Sequence, residues 1–248
     1  DYFQATRGGG NGDYRTVALA PASIQEAVDI MQDAFDIADE YRNPVMVIAD
    51  GLIGQMMEPV EWKEHKGREL PPKDWAAGGK KGRKENHFIT SLLMDASTCE
   101  EHNKKLLRKY DLIAEKETRW EEINCEDAEL ILVAYGTTSR IVLSAAEKLR
   151  EAGEKVGVFR PITIWPFPYK RLRELALMHN VKAFLTVEMS GGQMVEDVRL
   201  AAAGAKPVEF HGRMGGEIPT VEDVETISAR LLEKYDNQDA EIIIENMA

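Results

Sequence analysis

The sequence predicts an α/β protein whose second half is built on a parallel sheet. From about Asp127 to Tyr235, short apolar runs alternate with amphipathic stretches of helical length, and glycine or proline separates most of them. Strands that alternate with helices of about 10–15 residues are typical of a parallel sheet with right-handed crossovers. We therefore expect one compact α/β domain here, and it contains no complete catalytic set of its own.

Each element of this domain follows from local pattern. The predicted strands are Glu129–Tyr135, Lys155–Phe159, Val181–Val187 and Pro207–Phe210. The predicted helices are 136–152, 169–179, 193–203 and 220–235. The proline-rich stretch 160–168 is interpreted as a connection, because proline cannot donate to a sheet ladder. An acidic tail, 236–248, is expected to fray or to pack on a partner.

The first segment, 1–55, reads as loop, strand, helix and strand. Glycines in Arg7–Asp13 indicate a flexible turn, and Val17–Leu19 a short strand. Ser23 with Glu26 predicts a capping box at the start of a helix. The apolar run 45–49 predicts a strand covered on both faces. One such βαβ unit cannot bury both sheet faces, so we expect 1–55 to end a larger domain, of which this chain is a fragment.

Residues 56–126 are predicted to form a linker that crosses a surface. Prolines and glycines break the segment repeatedly, and residues 80–84 form a short basic run. From Cys99 to about Trp120, apolar residues recur at near-helical spacing, which predicts an exposed helix with one docking stripe.

Composition excludes several classes of function. The chain of 248 residues has 31 basic and 43 acidic residues, a net charge of −12, which argues against non-specific nucleic-acid binding. This charge either attracts a basic partner or only keeps the protein in solution. No apolar run approaches the about 18–20 residues of a membrane span. Cys99 and Cys125 form no CxxC motif, which argues against an iron–sulfur or zinc site on this chain and for a reducing cytoplasm.

Candidate ligand-binding residues are expected at the carboxyl ends of the strands. Gly136 and Thr137 open a helix whose N-terminus favours anions, or they only cap it. Glu188 with Gly191 and Gly192 could hold a ligand or a partner's arginine, or form a capped turn. Arg213, in the loop 212–216, could supply a positive charge beside flexible backbone for a phosphate or carboxylate, or the loop is plain surface. In the first segment, the glycine-rich loop permits close approach to a ligand and includes Arg7, Gly8, Gly9, Gly10, Asp13 and Tyr14.

Four stretches resemble the ferredoxin-dependent 2-oxoacid oxidoreductases, and most closely the pyrimidine-domain subunit of those that act on 2-ketoisovalerate (3-methyl-2-oxobutanoate). They are Asp1-Tyr-Phe-Gln-Ala-Thr-Arg-Gly-Gly-Gly-Asn-Gly-Asp-Tyr-Arg15, Leu19-Ala-Pro-Ala-Ser23, Arg160-Pro-Ile-Thr-Ile-Trp-Pro-Phe-Pro168 and Glu188-Met-Ser-Gly-Gly-Gln193. The resemblance covers nearly the whole chain, and the first and third stretches are specific together.

The resemblance implies a fold, cofactors and partners. Residues 1–55 would end a pyrimidine-binding thiamine diphosphate domain, and 127–235 would be a transketolase-C-terminal-like domain. Thiamine diphosphate with Mg²⁺ would lie at the interface with a thiamine-pyrophosphate-binding subunit, near the glycine-rich loop. Iron–sulfur clusters would lie on other subunits, coenzyme A would be the co-substrate and ferredoxin the electron acceptor.

In that family, the activating glutamate and most substrate contacts lie upstream of residue 1, so no catalytic residue is assigned and the isolated chain is expected to be inactive. The implied function is the oxidative decarboxylation of a branched-chain 2-oxoacid to its acyl-CoA. Two alternatives remain, which are a thiamine-dependent transketolase- or dehydrogenase-type subunit without ferredoxin and a non-catalytic assembly module.

Overall fold

Two sheets organise the chain, which the computed structural model describes at residues 1–10, 12–80 and 82–247, without the side chains of 238–247. The strands are β1 (Val17–Leu19), β2 (Val45–Val47), β3 (Trp120–Ile123), β4 (Leu130–Val133), β5 (Val156–Pro161), β6 (Thr163–Trp165), β7 (Ala183–Glu188) and β8 (Val208–Gly212). The helices are α1 (Tyr2–Arg7), α2 (Ile24–Tyr41), α3 (Ala96–Glu117), α4 (Gly136–Glu151), α5 (Tyr169–Ala176), α6 (Met194–Ala202) and α7 (Val221–Met247), and a 3₁₀ turn spans Ile53–Gln55.

The large sheet has the strand order β3-β5-β4-β7-β8. Its four predicted strands, β4, β5, β7 and β8, are parallel, as expected. Strand β3 was not predicted: it comes from the linker and pairs antiparallel with β5 at the edge. Its sequence, Trp-Glu-Glu-Ile, has no alternating apolar pattern. An edge strand does not need one, since its charged side chains can form ion pairs at the surface. Glu122, for example, accepts a hydrogen bond from Arg171 at 2.7 Å.

The small sheet has the order β2-β1-β6, with β1 parallel to β2 and antiparallel to β6. The interpretation of 160–168 as a plain connection is therefore wrong, since Thr163–Trp165 form β6. Strand β6 lies between Pro161 and Pro166, and its three residues can pair with β1 because each of them keeps the backbone N–H that proline lacks. The chain runs from β5 of the large sheet through Ile162 directly into β6 of the small sheet, so this connection joins the two sheets.

Strand β2 is less covered than expected. Its residues are only half-buried, and the Met46 side chain is 37% exposed. Within the described part of the chain, β2 pairs with β1 alone, so it forms an edge where the apolar run predicted a central position.

Residues 2–7 form α1, although the sequence predicted that the first segment starts with a loop. Tyr2 and Ala5 are each 3% exposed and join the apolar core on one face of the large sheet. The spacing of Tyr2, Ala5 and Thr6 places all three buried residues on one side of the short helix. This packing orders the chain up to the glycines.

The helices cover both faces of the large sheet. Helices α5 and α6 pack with α1 on one face, and α4 packs with α7 on the other. Helix α7 continues to Met247, so the residues predicted as a frayed tail from 236 are helical up to that point. No glycine or proline follows Thr220 to stop the helix, while residue 248 lies outside the described residues.

Helices α2 and α3 cover the small sheet. Ser23 caps α2 by accepting a hydrogen bond from the Glu26 N–H at 3.1 Å, as predicted. The docking stripe of α3 is also confirmed, because Tyr110 and Ile113 are buried in the same core as Ile37. In the described part of the chain, no helix has the length and apolar composition needed to cross a membrane.

Candidate functional site

A cleft of about 210 Å³ lies at the carboxyl edge of both sheets. Its walls come from the residues that follow β2 and β4, from the end of β7 and from the start of α1, and they include Asp1, Tyr2, Asp50, Tyr135, Gly136 and Glu188. Parallel sheets bind ligands at this edge. The cleft therefore brings together two predicted regions, around Gly136 and Glu188, with acidic residues of the first segment.

Asp50 occupies the anion position at the start of α4. Its carboxylate accepts hydrogen bonds from the Thr137 N–H at 2.9 Å and from the Thr137 hydroxyl at 2.8 Å. Gly136 has φ +60°, and a Cβ there would lie 3.0 Å from the Asp50 carboxylate. The N-terminal donors that were expected to bind a ligand anion are thus partly satisfied by the chain's own carboxylate.

Glu188 performs the same task for α6. Its buried carboxylate accepts hydrogen bonds from the backbone N–H groups of Met194 at 3.0 Å and Val195 at 2.9 Å, and from the Ser190 hydroxyl at 3.0 Å. Because these donors surround the carboxylate, it acts as a helix cap. Of the two alternatives that the sequence left open, the structure shows the capped strand–helix turn.

Gly191 and Gly192 shape this turn and are not among the residues that line the cleft. Gly192 has φ +105°, a conformation that L side chains rarely adopt. A Cβ at Gly191 would lie 3.2 Å from the Met214 sulfur. The backbone conformation explains glycine at position 192 without requiring a ligand, whereas at position 191 a side chain would displace only the flexible Met214 side chain.

Asp197, on the first turn of α6, anchors the start of the chain. Its carboxylate is fully buried and accepts hydrogen bonds from the Tyr2 hydroxyl at 2.7 Å and from the Arg7 guanidinium at 3.0 Å. The Tyr169 hydroxyl donates to it as well. Burial, together with the adjacent Asp197 charge, raises the pKa of Tyr2, so this tyrosine remains a neutral donor. The predicted site residue Arg7 is therefore held by its own chain.

The glycine-rich loop begins immediately after this anchor. The Gly9 N–H donates to the Tyr14 hydroxyl, and the Tyr14 ring lies beside Gly8 and Gly9. Gly10 and Asp13 are exposed, and Tyr14 is 41% exposed. Asn11 lies outside the described residues. The loop is closed by its own tyrosine and presents backbone and one carboxylate to the outside.

The cleft itself is acidic. Asp1, Asp50 and Glu188 contribute carboxylates. Burial first, and then the negative charges of Glu188 and Asp50, raises the pKa of Tyr135. An ionised diphosphate would be repelled by these groups, and the helix N-termini that could offset the repulsion are already capped. Among the residues described, no group of three or more His, Cys, Asp or Glu side chains could hold a metal ion. The diphosphate end of a thiamine cofactor therefore does not fit this cleft.

Two other candidates lie apart from the cleft. Arg213 forms an ion pair with Glu217 at 2.9 Å at the surface. Its backbone N–H donates to the Glu188 carbonyl at 3.1 Å, which extends the β7–β8 pairing. His211 is half-buried, and its Nε2 is enclosed without a hydrogen-bond partner in the described structure.

Sequence reasoning missed Asp50 and Asp197. Asp50 carried a usable signal, because it directly follows an apolar run and precedes Gly51 at a strand end. Asp197 carried a weaker one: it lies three residues after Met194 and four before Ala201, on the buried face of α6. An acid in such a position needs a buried partner.

Comparison with known proteins places both segments in one family. Residues 1–122 match the family described as pyruvate flavodoxin/ferredoxin oxidoreductase, thiamine diphosphate-binding. Residues 128–224 match pyruvate:ferredoxin oxidoreductase core domain II. Ketoisovalerate oxidoreductase subunit VorB of Methanothermobacter marburgensis is 46% identical over 90% of this chain and 62% of its own length. The 2-oxoglutarate synthase subunit KorA of Methanocaldococcus jannaschii is 34% identical over 88% of this chain and 64% of its own.

Solved structures share the fold. A 2-oxoglutarate:ferredoxin oxidoreductase from Magnetococcus marinus matches with a TM-score of 0.74 at 20% identity, covering 92% of this chain and 44% of that chain. A split-gene transketolase matches with a TM-score of 0.50 at 17% identity, over 89% of this chain and 58% of that one. The chain spans less than two thirds of the length of the curated relatives named above. The two family matches, together with the 46% identity to the VorB subunit over 90% of the chain, show that it belongs to the 2-oxoacid:ferredoxin oxidoreductase family.

Proposed function

We propose that the chain forms part of the pyrimidine-domain subunit of a ferredoxin-dependent oxidoreductase for branched-chain 2-oxoacids. The complete complex would oxidatively decarboxylate 3-methyl-2-oxobutanoate to its acyl-CoA and pass the electrons to ferredoxin. The observation that carries this proposal is the 46% identity to a ketoisovalerate oxidoreductase subunit, which extends over 90% of the chain. Identity to the 2-oxoglutarate relative is lower, at 34%.

In this assembly the chain would supply an interface and leave the diphosphate to its partner. The Asp197 anchor holds α1, and the loop it supports turns Gly10, Asp13 and Tyr14 outward. We place this loop against the thiamine-pyrophosphate-binding subunit, because glycine allows close approach of backbone to a ligand or a neighbouring chain. The acidic cleft repels the diphosphate, so we assign the diphosphate, with its Mg²⁺, to that subunit.

Thiamine diphosphate, held mainly by the partner subunit, would supply a nucleophilic carbon for decarboxylation of the 2-oxoacid. Coenzyme A would be the acyl acceptor, and iron–sulfur clusters on the small and iron–sulfur subunits would carry electrons to ferredoxin. This chain would hold the loop beside the cofactor and exclude water there. A cytoplasmic location is part of the proposal, since both described cysteines are free thiols.

We further propose a division into four segments. Residues 1–55 are the end of the pyrimidine domain, and 56–126 are the linker. Residues 127–235 are the transketolase-C-terminal-like domain, and 236–248 are the terminal segment. The gap between the two family matches, at residues 123–127, supports a boundary near the start of β4.

The test is activity of the complete complex. Co-purified subunits should reduce a viologen dye only when 3-methyl-2-oxobutanoate, coenzyme A and thiamine diphosphate are all present, with a higher kcat/KM than for 2-oxoglutarate. The substrate assignment would be overturned if, with coenzyme A and thiamine diphosphate present, the complex reduced the dye with 2-oxoglutarate but not with 3-methyl-2-oxobutanoate. A reconstituted complex that transfers a two-carbon ketol unit, or reduces NAD⁺ without ferredoxin, would favour the transketolase- or dehydrogenase-type alternative. Absence of any 2-oxoacid-dependent reaction would leave an assembly role.

A further inference from the structure

A basic groove of about 540 Å³ lies between the end of α2, the exposed side of α3 and residues 88–90. It shares no lining residue with the acidic cleft. Arg42, His102, Lys105 and Lys109 line it, together with Phe88 and Ile89. Among the described residues, no carboxylate lines this groove.

Two cations of the groove, Arg42 and Lys109, are held in place by neutral partners. Lys109 Nζ donates to Asn43 Oδ1 at 2.9 Å and to the Arg42 carbonyl at 3.3 Å. The Arg42 guanidinium lies over the Trp75 ring, 4.2 Å from its centre, a cation–π contact. Across the described residues, Arg42, Lys105 and Lys109 form no ion pair, although many other cations of the chain do.

The charges are close enough to repel one another. Burial, together with the positive charges of Arg42 and Lys105, lowers the pKa of Lys109. An anion bound between these three side chains would relieve the repulsion and replace the lost solvation. Arg42 is positioned by the end of α2, where it adopts a left-handed backbone with φ 46° and its N–H donates to the Ala38 carbonyl. The position of the Arg42 guanidinium is therefore set both by the backbone conformation of Arg42 and by the Trp75 ring.

We propose that this groove binds a phosphate-bearing ligand, with phosphate between Arg42, Lys105 and Lys109 and an apolar or planar portion against Phe88 and Ile89. Guanidinium and ammonium groups are the usual partners of phosphate in proteins. Phe88 is 90% exposed and Ile89 57%, so both have surface free for a ring. A nucleotide has this combination of groups.

Lysine acylation of the assembled complex tests the site residue by residue. The complex is treated with an acylating reagent, with and without ADP or pyrophosphate, and each lysine is followed by mass spectrometry. At about ten times the dissociation constant, acylation of Lys105 and Lys109 should slow about tenfold, because only the unliganded fraction reacts. Lys104 is the internal control, since it is adjacent on α3 but pairs with Glu101 at 2.8 Å, and it is not among the residues that line the groove. ADP should protect at lower concentration than pyrophosphate.

Two variants sharpen the test. Lys105→Ala should raise the ADP concentration that protects Lys109 by about tenfold, the usual effect of losing a hydrogen bond to a charged group. Lys104→Ala should leave that concentration unchanged. The proposal is overturned if neither probe protects Lys105 and Lys109, or if Lys104 is protected equally. It is also overturned if both groove lysines are unreactive in the complex before any probe is added, because another subunit then covers them. Equal potency of ADP and pyrophosphate would overturn the role of Phe88 and Ile89.

Discussion

Asp197 accepts a hydrogen bond at 3.0 Å from Arg7, which lies 190 positions earlier in the chain. The carboxylate is fully buried, whereas the arginine side chain is 41% exposed. This contact fixes the last residue of α1 and hence the root of the glycine-rich loop on α6. The position of the loop therefore depends on the second half of the chain. A second contact acts in the same way: the side chain of Gln193, the residue before α6, accepts a hydrogen bond from the Phe3 N–H at 3.1 Å.

Asp197→Asn should weaken the binding of thiamine diphosphate to the complex. The amide keeps the shape of the side chain but removes the charge that pairs with Arg7, a change worth about 1.5–3 kcal/mol, or roughly tenfold to a hundredfold in affinity if the loop contacts the cofactor or its subunit. The dissociation constant can be measured by titrating the cofactor into the apo-complex and following activity.

Glu196→Gln is the matched control, because Glu196 is on the same turn of α6 but is exposed. Arg7→Ala should act in the same direction as Asp197→Asn, and Arg7→Lys should restore part of the affinity. Wild-type cofactor affinity and wild-type assembly in Asp197→Asn would contradict the anchoring role.

The Asp50–Thr137 pair should couple the two segments of the chain. Asp50→Ala removes both hydrogen bonds to Thr137 and the cap of α4, and it should lower the free energy of unfolding by about 2 kcal/mol. Thr137→Val removes only the hydroxyl partner and should cost about 1 kcal/mol. Because the residues interact directly, the double variant should cost less than the sum, by about 0.5–1 kcal/mol.

Urea unfolding of the four proteins measures this coupling, and Asp13→Ala, at an exposed loop carboxylate, is the control that should change little. Strict additivity would mean that Asp50 stabilises the fold through other contacts, such as those with the N–H groups of Leu52 and Ile53.

Glu117, the last residue of α3, should make the contacts of this helix with Arg68 and with Tyr41 of α2 sensitive to acid. Although burial opposes ionisation, hydrogen bonds from Arg68, Tyr41 and Arg119 outweigh it and lower the pKa of Glu117 to about 2, from an ordinary value of 4.5. A depressed folded-state pKa adds stability above the unfolded value, and this contribution is lost as the pH falls from about 4.5 towards 2.

Glu117→Gln should therefore be less stable than wild type at pH 7, by about 2 kcal/mol, and the difference should shrink on acidification. Denaturant unfolding at several pH values between 7 and 3 gives the profile. Glu115→Gln, two residues away at an exposed position, should follow the wild-type curve. A constant difference at all these pH values would show that the charge of Glu117 is not the cause.

Cys125 should resist alkylation in the folded protein. Burial first, and then the charge of Glu122, raises the pKa of the Cys125 thiol to about 12, and the thiol donates to the Val158 carbonyl at 3.2 Å. Only the thiolate reacts, so iodoacetamide at pH 8 should modify Cys125 at least about a hundredfold more slowly than an exposed thiol. Cys99 is half-buried and should react sooner.

Peptide mass spectrometry separates the two cysteines, and full denaturation is the control, since both should then react at similar rates. Rapid modification of Cys125 under native conditions would indicate that the β3–β5 edge opens locally, because Cys125 directly follows that strand pair.

Much of the fold was predictable because it depends on local pattern. The apolar runs of β4, β5 and β7 are fully covered by helices, so burial and periodicity agree. The cap of α2 and the buried stripe of α3 were predictable for the same reason. The patterns failed at β3 and β6, whose short strands sit at a sheet edge or on a small sheet and have no strong alternation of their own.

The sequence alone determined the α/β class, the order of the main elements and the family resemblance, because each of these rests on neighbouring residues or on stretches of specific sequence. The candidate site was decided only by tertiary structure. Asp50 meets Thr137 across 87 positions, and Arg7 meets Asp197 across 190. A helix N-terminus accepts any well-placed anion, and no local pattern says whether that anion is a ligand or a carboxylate brought from elsewhere in the chain. In this protein the fold supplies Asp50 and Glu188, so both helix N-termini are capped from within the chain, and Asp197 anchors the helix that precedes the glycine-rich loop.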